Sequence, residues 1–288
     1  MSHDFSIELT SMPSLLTLYR KIFFGRKPGW DQQPLPSVFV KATNVSVSAK
    51  KVAQYAEVCQ FNFDKHILPP TYLYVLAFRL HATIFTHEAM TFPLLGMIHL
   101  KNSISVYRQV NVTEHVDVQC ELSDSRTTDS GLEFDLVSKI YVADELVWEA
   151  FSTYLYRIEG KKRIRPPRAS KMAWENVQQW TLPEGLGRQY ANASGDYNLI
   201  HLHPILSKRF GFDRVLAHGM WSKARSMAYL MQFVGDKPFK LDVEFKLPVF
   251  MPSEVTFGYE SIEGGKQFEM RDIKGRRPHL TGELTYLS

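Results

Sequence analysis

The chain has 288 residues, of which 44% are hydrophobic, 13% aromatic and 22% charged. This balance is that of a folded globular protein, and it excludes collagen-like, low-complexity and disordered chains. The formal net charge of +4 is modest, and Lys and Arg gather into one dense run at 161–168, so we expect no nucleic-acid partner. A chain of this length forms one large domain or two fused domains.

The cysteine pattern and the apolar runs bear on the cellular compartment. Cys59 and Cys120 lie far apart and form no Cys-x-x-Cys motif, which is typical of a reducing compartment. The first ten residues carry two acidic groups and lack the apolar core of a signal peptide. The most apolar run, Tyr72–Phe85, contains Arg79 and His81 and is shorter than the ~20 residues of a membrane helix. We therefore expect a cytoplasmic protein that binds no membrane.

The first half of the chain begins with helices and ends with strands. Apolar spacing predicts a short helix at Ser48–Gln60, a buried helix at Tyr72–Phe85 and strands after Leu94. Alternation of apolar and polar residues at 116–122 predicts a strand with one buried face. Since a central helix must be buried, we expect its aromatic side chains in the core rather than in a ligand pocket. These side chains are Tyr72, Tyr74, Phe78 and Phe85.

The basic, proline-bearing run at 161–168 divides the chain into parts of similar length. A run of this composition is typical of a solvated linker. We therefore predict an N-terminal domain at 1–160, a linker at 161–170 and a C-terminal domain at 171–288.

The second half repeats the order of the first. A helix is predicted at Glu184–Ala193, followed by a long loop, a helix at about His218–Val234 and an alternating strand at 241–247. Short matches occur in the same order in both halves, with Gln-Tyr-Ala at 54–56 and 189–191 and Thr-Tyr-Leu at 153–155 and 285–287. These matches favour a tandem repeat of one fold.

The repeated unit has a recognisable architecture. A strand meander wrapped around one long helix is the hot-dog fold, so the repeat predicts an α+β double hot-dog. We expect two antiparallel sheets, each wrapped around a long central helix. Two copies in one chain can form internally the dimer that single-copy proteins form between chains. The expected state is therefore a monomer with an internal pseudo-dimer, or a homodimer.

The densest polar cluster follows the helix predicted at 184–193. It reads Ser-Gly-Asp-x-Asn-x-Ile-His at 194–201, then Gly-Phe at 211–212 and Ala-His-Gly-Met at 217–220. On spacing alone, Ser-Gly-Asp-x-Asn is typical of a helix C-terminus and turn, because Gly tolerates left-handed geometry and Asp and Asn bind their own backbone. The cluster is therefore either a turn or a site of acid–base chemistry.

The complete string resembles the signature of the MaoC-like family of (R)-specific enoyl-thioester hydratases and 3-hydroxyacyl-thioester dehydratases. The resemblance is strong over about 184–234, and the first half resembles the degenerate amino-terminal hot dog of two-domain members. It implies that Asp196 and His201 form an acid/base pair and that Asn198 helps to place the water. It further implies that Gly219 donates its backbone N–H to the thioester carbonyl, that no cofactor is used, and that the reaction is syn with (R) stereochemistry.

The chemistry is consistent with these roles. Hydration of a conjugated thioester needs an acceptor for a water proton, a donor to C2 and a group that stabilises an enolate-like oxygen. Gly219 lies at the start of a predicted helix, where unpaired N–H groups favour developing negative charge. The sequence leaves open which of Asp196 and His201 activates water. The expected substrate is a thioester of coenzyme A or acyl carrier protein, of unknown chain length.

Metal and nucleophile patterns are weaker. His201 and His203 form a His-x-His, with Asp213 or His218 as further candidate ligands, but Pro204 follows at once and no strand precedes the pair. We therefore expect no metal and interpret His203 as structural. No serine stands in a nucleophile elbow, and Gly-Leu-Gly at 185–187 does not continue as a dinucleotide fingerprint.

Two alternatives to hydratase activity stay open, namely a thioesterase on the same fold and a non-enzymatic protein that binds an acyl thioester or a partner. The intact motif argues against the second. His66 has no aspartate at the matching place, so we interpret it as surface or structural and expect the first half to be non-catalytic and to hold the acyl chain. The basic run at 161–168 is predicted to be solvated, with the phosphates of coenzyme A or a carrier protein as the alternative partner.

Overall fold

The first half folds from strands and helices that bury alternating or helical apolar faces. The computed structural model describes residues 4–158, 174 and 176–287. Its first-half strands are β1 (Phe5–Leu9), β2 (Val38–Val45), β3 (Ile98–Val106), β4 (Val116–Thr128), β5 (Gly131–Val142) and β6 (Glu145–Arg157). Its first-half helices are α1 (Leu15–Phe24), α2 (Ala49–Cys59) and α3 (Tyr72–Thr86).

The second half contains the same kinds of element. Its strands are β7 (Asn176–Leu182), β8 (Phe239–Phe245), β9 (Ser253–Ile262), β10 (Gly265–Asp272) and β11 (Pro278–Tyr286). Its helices are α4 (Leu186–Ser194), α5 (Pro204–Arg209) and α6 (Gly219–Leu230), with short 3-10 turns at Leu199–His201 and Met231–Phe233. The four helices predicted from the sequence correspond to α2, α3, α4 and α6. The sequence analysis predicted no counterpart of β1, α1, β2, β7 or α5.

The two halves share one strand topology. The described strands form a sheet in the order β1-β2-β4-β5-β6-β3-β8-β11-β10-β9-β7. Outward from the central pair, β3 is followed by β6, β5, β4 and β2, while β8 is followed by β11, β10, β9 and β7. These orders are equivalent, and the Thr-Tyr-Leu matches fall on β6 and at the end of β11. The topology agrees with a tandem repeat.

The double hot-dog fold is confirmed, but the prediction of two separate sheets is wrong. Residues 101–106 of β3 pair antiparallel with residues 239–244 of β8, which joins both halves into one sheet of eleven strands. Each half would otherwise end in an unpaired edge, and edge pairing satisfies the exposed N–H and C=O groups. No local period in a sequence encodes pairing between strands so far apart.

Buried faces hold the helices against the sheet. The alternating residues of β4 are buried, and α3 packs on β2, β4 and β5. The equivalent helices α2 and α4 meet between the halves, where the rings of Tyr55 and Tyr190 lie 5.8 Å apart. These two tyrosines are the central residues of the repeated Gln-Tyr-Ala match. Trp221 of α6 adds a hydrogen bond of 3.1 Å from its indole N–H to the carbonyl of Val58.

The predicted linker at 161–170 and the basic run at 161–168 lie outside the described residues, so the domain boundary stays a prediction. None of the helices in the described part of the chain has the length and apolar character that a membrane span requires.

Candidate active site

A cavity of about 390 Å³ is lined by residues of both halves. Asp196, Asn198, His201 and Gly219, the four residues singled out in the sequence, all line it. The structure therefore brings the end of α4, the 3-10 turn after it and the start of α6 to one place.

A tight turn aims Asp196 into this cavity. Helix α4 ends at Gly195, whose positive φ of 80° is the left-handed conformation that glycine adopts without strain. The Asp196 N–H then donates to Ser194 Oγ at 3.2 Å, and Asp196 Oδ1 accepts the Asn198 N–H at 3.1 Å. The local geometry is the helix C-terminus and turn that spacing alone favours. That turn and a site of chemistry are compatible, because the turn positions the carboxylate.

His201 presents one lone pair to the cavity. Its Nδ1 lies 2.8 Å from the Leu216 carbonyl, which only accepts, so Nδ1 carries the hydrogen and Nε2 is left as an acceptor. Burial and the neighbouring His218 lower the pKa of His201 to about 3, although the Asp196 carboxylate and the Leu216 carbonyl act in the opposite direction. The imidazole is therefore neutral near pH 7.

The Asp196 carboxyl lies beside this imidazole. Burial raises its pKa, and the His201 ring and the Asn198 N–H offset part of that rise. The ligand atoms of Asp196, His201 and His218 lie within 4.8 Å of one another. A carboxyl with a raised pKa next to a neutral imidazole can accept and deliver one proton at neighbouring points in space.

His218 is a third member of the group that the sequence analysis did not assign to the reaction. It is 2% exposed, and its ring stacks on His201 with centroids 3.7 Å apart. Its Nε2–H donates to the Asp196 backbone carbonyl at 3.0 Å. The Ala-His-Gly-Met string contains this histidine, but only the glycine of that string was assigned a role in the reaction.

Gly219 begins α6 and faces the cavity. Its N–H belongs to the first helical turn, and no acceptor for it occurs among the residues that the structure describes. A Cβ at this position would lie 3.1 Å from the ring of Phe245, so any side chain here would crowd that ring. Asn198 Oδ1 is likewise buried without a partner among the described residues.

The same group has donor types that a divalent cation accepts. Asp196, His201 and His218 offer one carboxylate oxygen and two imidazole nitrogens, and they are the described residues that would hold such an ion. His203 and Asp213, two of the ligands considered from sequence, lie elsewhere. His203 Nδ1 accepts the Ile205 N–H at 3.2 Å as the N-cap of α5, and the side chain of Asp213 is exposed.

Aromatic side chains of the first half complete the cavity wall. The expected core position is confirmed for Tyr72, Tyr74 and Phe85. Tyr74, Phe78 and Phe85 of α3 also line the cavity, so the expectation that they lie outside a ligand pocket is wrong, whereas Tyr72 is not among the lining residues. Helix α3 has one face on the sheet and another toward the second half, and a sequence period does not distinguish these two buried faces. Tyr19 of α1 also lines the cavity and was not predicted.

Comparisons with known proteins agree with this arrangement. A family model described as MaoC like domain matches residues 168–282. The curated relative 3-hydroxyacyl-thioester dehydratase X of Mycobacterium tuberculosis is 30% identical over 261 residues, which cover 89% of this chain and 91% of the relative. A crystal structure of HtdX from the same organism matches with a TM-score of 0.76 and 29% identity, over 86% of this chain and all of that chain.

A more distant structure supports the fold. A conserved hypothetical protein of Mycobacterium tuberculosis, described as having a double hotdog fold, matches with a TM-score of 0.53 and 10% identity over 91% of this chain and 96% of that chain. The family and the fold that the sequence predicted are both confirmed. The chain belongs to the MaoC-like dehydratase family, and it is a hydro-lyase.

Proposed function

We propose that this enzyme interconverts 2-enoyl and (R)-3-hydroxyacyl thioesters of coenzyme A or acyl carrier protein, with Asp196 and His201 as its acid/base pair. One observation carries the proposal. A single cavity is lined by a carboxyl, a neutral imidazole and a helix N–H that has no acceptor in the described part of the chain. The name of the curated relative, a 3-hydroxyacyl-thioester dehydratase, supports the same substrate class.

The pair holds one proton and can accept one, which fits both directions of the reaction. Hydration takes one proton from water and gives one to C2, while dehydration takes one from C2 and gives one to the leaving hydroxyl. A protonated carboxyl next to a neutral imidazole holds one proton and one vacant lone pair. The raised pKa of Asp196 and the lowered pKa of His201 favour this state. No net proton has to enter the cavity during a turnover.

Gly219 and Asn198 have supporting roles in this proposal. The Gly219 N–H at the positive end of α6 donates to the thioester carbonyl as negative charge develops on that oxygen. The unpartnered Asn198 Oδ1 accepts a hydrogen from the reacting water or from the 3-hydroxyl group. The first half contributes no acid/base pair and holds the acyl chain.

The test follows the conjugated absorbance of a short trans-2-enoyl-CoA after the enzyme is added. Asp196→Asn and His201→Ala should each slow the reaction by about 10² to 10⁴-fold, which is the usual contribution of a positioned acid or base. Asp213→Asn is the matched control, because this exposed aspartate lies on the segment between the two motif strings. Equal rates in all four proteins would exclude the pair.

Product analysis separates the alternatives. Release of free thiol in place of hydration would identify a thioesterase, and saturable binding without turnover would identify a non-enzymatic carrier. Offering the two enantiomers of a 3-hydroxyacyl-CoA tests the proposed (R) stereochemistry, since only one should be dehydrated.

A further inference from the structure

The first half brings a polar pair to the cavity that the proposed reaction does not use. His99 of β3 and Tyr154 of β6 are directly opposite across the strand pair, and their rings stack with centroids 4.3 Å apart. Both line the cavity. A break in the β3–β6 register lies between His99 and Lys101, and bulges of this kind redirect side chains near functional sites.

One atom of the pair is a buried acceptor. His99 Nε2 is buried and has no hydrogen-bond partner among the described residues. The other ring nitrogen is engaged by the backbone of Lys101, and burial together with the charge of Lys223 lowers the pKa of His99 to about 3. The ring is therefore neutral, and Nε2 offers a lone pair to the cavity.

The other atom of the pair is a hydroxyl oxygen, which can donate as well as accept, and it ends a buried chain of hydrogen bonds. The Lys223 ammonium donates to Asn102 Oδ1 at 2.5 Å, and Asn102 Nδ2 donates to Ser152 Oγ at 2.9 Å. Ser152 Oγ donates to Tyr74 Oη at 3.4 Å, and Tyr74 Oη lies 2.7 Å from Tyr154 Oη, where either hydroxyl can be the donor. With Tyr74 as the donor of that bond, the hydroxyl hydrogen of Tyr154 has no acceptor among the described residues and is available to a ligand.

The ring of Phe245 links the pair to Gly219. The ring of Phe245 stands next to Gly219 on one side and 4.9 Å from the ring of His99 on the other. An acyl chain that runs from the Gly219 N–H past Phe245 would reach His99 and Tyr154.

We propose that Tyr154 Oη and His99 Nε2 bind a hydroxyl group on the acyl chain, so that the enzyme selects thioesters hydroxylated beyond the reacting carbons. A hydroxyl both accepts from a phenol and donates to an imidazole lone pair, whereas a ketone only accepts. A carboxylate would bring a charge that two neutral groups do not compensate. The inference rests on the proposed function in one respect, that the cavity takes an acyl thioester.

The experiment compares trans-2-enoyl-CoA chains of equal length, one unsubstituted and the others with a single hydroxyl at each successive carbon beyond the double bond. We expect one hydroxylated isomer to have a kcat/KM roughly ten- to a hundredfold above that of the unsubstituted chain, because the latter leaves two buried polar groups unpaired. Tyr154→Phe should reduce this ratio about tenfold. The control Tyr156→Phe makes the same change two residues along β6, outside the cavity lining, and should keep the wild-type ratio.

A binding measurement separates failure of this inference from failure of the proposed function. The affinities of saturated acyl-CoA and of its hydroxylated counterparts are measured by calorimetry, which needs no turnover. Hydration of all chains at one rate, with equal affinities, would overturn the hydroxyl subsite and leave the hydratase proposal standing. Tighter binding of one hydroxylated chain without hydration of any would support the subsite and overturn the reaction. Equal affinity without hydration would overturn both.

Discussion

His218 contacts both residues of the proposed acid/base pair. Its Nε2–H fixes the Asp196 carbonyl at 3.0 Å, and its ring lies flat against His201. Burial lowers the pKa of His218 to about 3, so the ring orients both groups without adding a positive charge next to them. We infer that His218 is a positioning residue.

Replacing His218 therefore separates turnover from binding. His218→Phe keeps a stacked ring and loses the donor to the Asp196 carbonyl. We expect kcat to fall about tenfold while KM changes little, because small displacements of the proposed acid/base groups slow the reaction. His218→Gln restores a donor and should recover part of kcat. Steady-state kinetics of both variants provide the measurement, with the exposed His203→Gln as control. A His218→Phe enzyme with the wild-type kcat would contradict this role.

The cavity-lining residues that the sequence singled out lie in local strings. Asp196, Asn198 and His201 fall within six positions on one turn, so a motif captures them together. The interactions of His218 and Tyr19 span 22 and 176 residues of sequence, and no spacing reveals them. These long-range contacts hold the turn in place, and they are the part of the site that the sequence did not predict.

At the level of elements, α1 supports the turn that carries Asp196 from the other half of the chain. Tyr19 Oη donates to the Gly195 carbonyl at 2.9 Å and accepts the Tyr197 N–H at 2.6 Å. Leu15, at the start of α1, lies 2.9 Å from the place where a Cβ on Gly195 would stand. The helix therefore holds both sides of Asp196, and Gly195 is required for its close approach as well as for its left-handed φ.

Loss of these two hydrogen bonds should loosen the turn without unfolding the chain. Tyr19→Phe keeps the ring and removes both bonds, so we expect kcat/KM to fall by about ten- to a hundredfold through misplacement of Asp196. Tyr107→Phe is the matched control, because it removes a tyrosine hydroxyl that bonds Glu149 on the surface. Enoyl-CoA hydration and circular dichroism of both variants are the measurements. An active Tyr19→Phe enzyme would show that α1 is dispensable for the turn.

Element prediction succeeded where one apolar face dominates and failed where it does not. Helices α2, α3, α4 and α6 each bury a contiguous set of side chains, which the spacing of their apolar residues reveals. Helix α1 buries only Leu18 and Ile22, and β1 has no fully buried residue. Such weakly patterned elements are stabilised by tertiary contacts, which a local window does not contain.

At the scale of the whole molecule, the joined sheet surrounds a cavity with buried histidines from both halves. Burial lowers the pKa of four of them to about 3. They are His81, His99, His201 and His218. The tandem repeat was predictable because each half carries its own pattern, but the pairing of β3 with β8 and the shared cavity arise only when the halves meet.

These histidines make acid sensitivity a property of the whole fold. A folded-state pKa of about 3 lies below the unfolded value of ~6.5, so the unfolded chain binds more protons between these limits. Burial of each neutral ring therefore contributes fully to the free energy of unfolding above pH ~6.5, and this contribution is lost as the pH falls toward 3. Each histidine adds up to ~1.4 kcal/mol per pH unit to the slope of the free energy of unfolding.

His81→Gln tests this linkage on a residue that does not belong to the acid/base pair. Its ring is 1% exposed and bonds Ser138 Oγ at 2.7 Å, and glutamine keeps a polar group there that does not titrate. The substitution also changes the free energy of unfolding by an amount that does not depend on pH. The slope of that free energy against pH should decrease by up to ~1.4 kcal/mol per pH unit between pH 4 and 6. Urea unfolding at a series of pH values measures it, with the exposed His66→Gln as control. An unchanged slope in His81→Gln would mean that this histidine takes up its proton in the folded state, because only a difference between the folded and unfolded proton counts moves stability with pH.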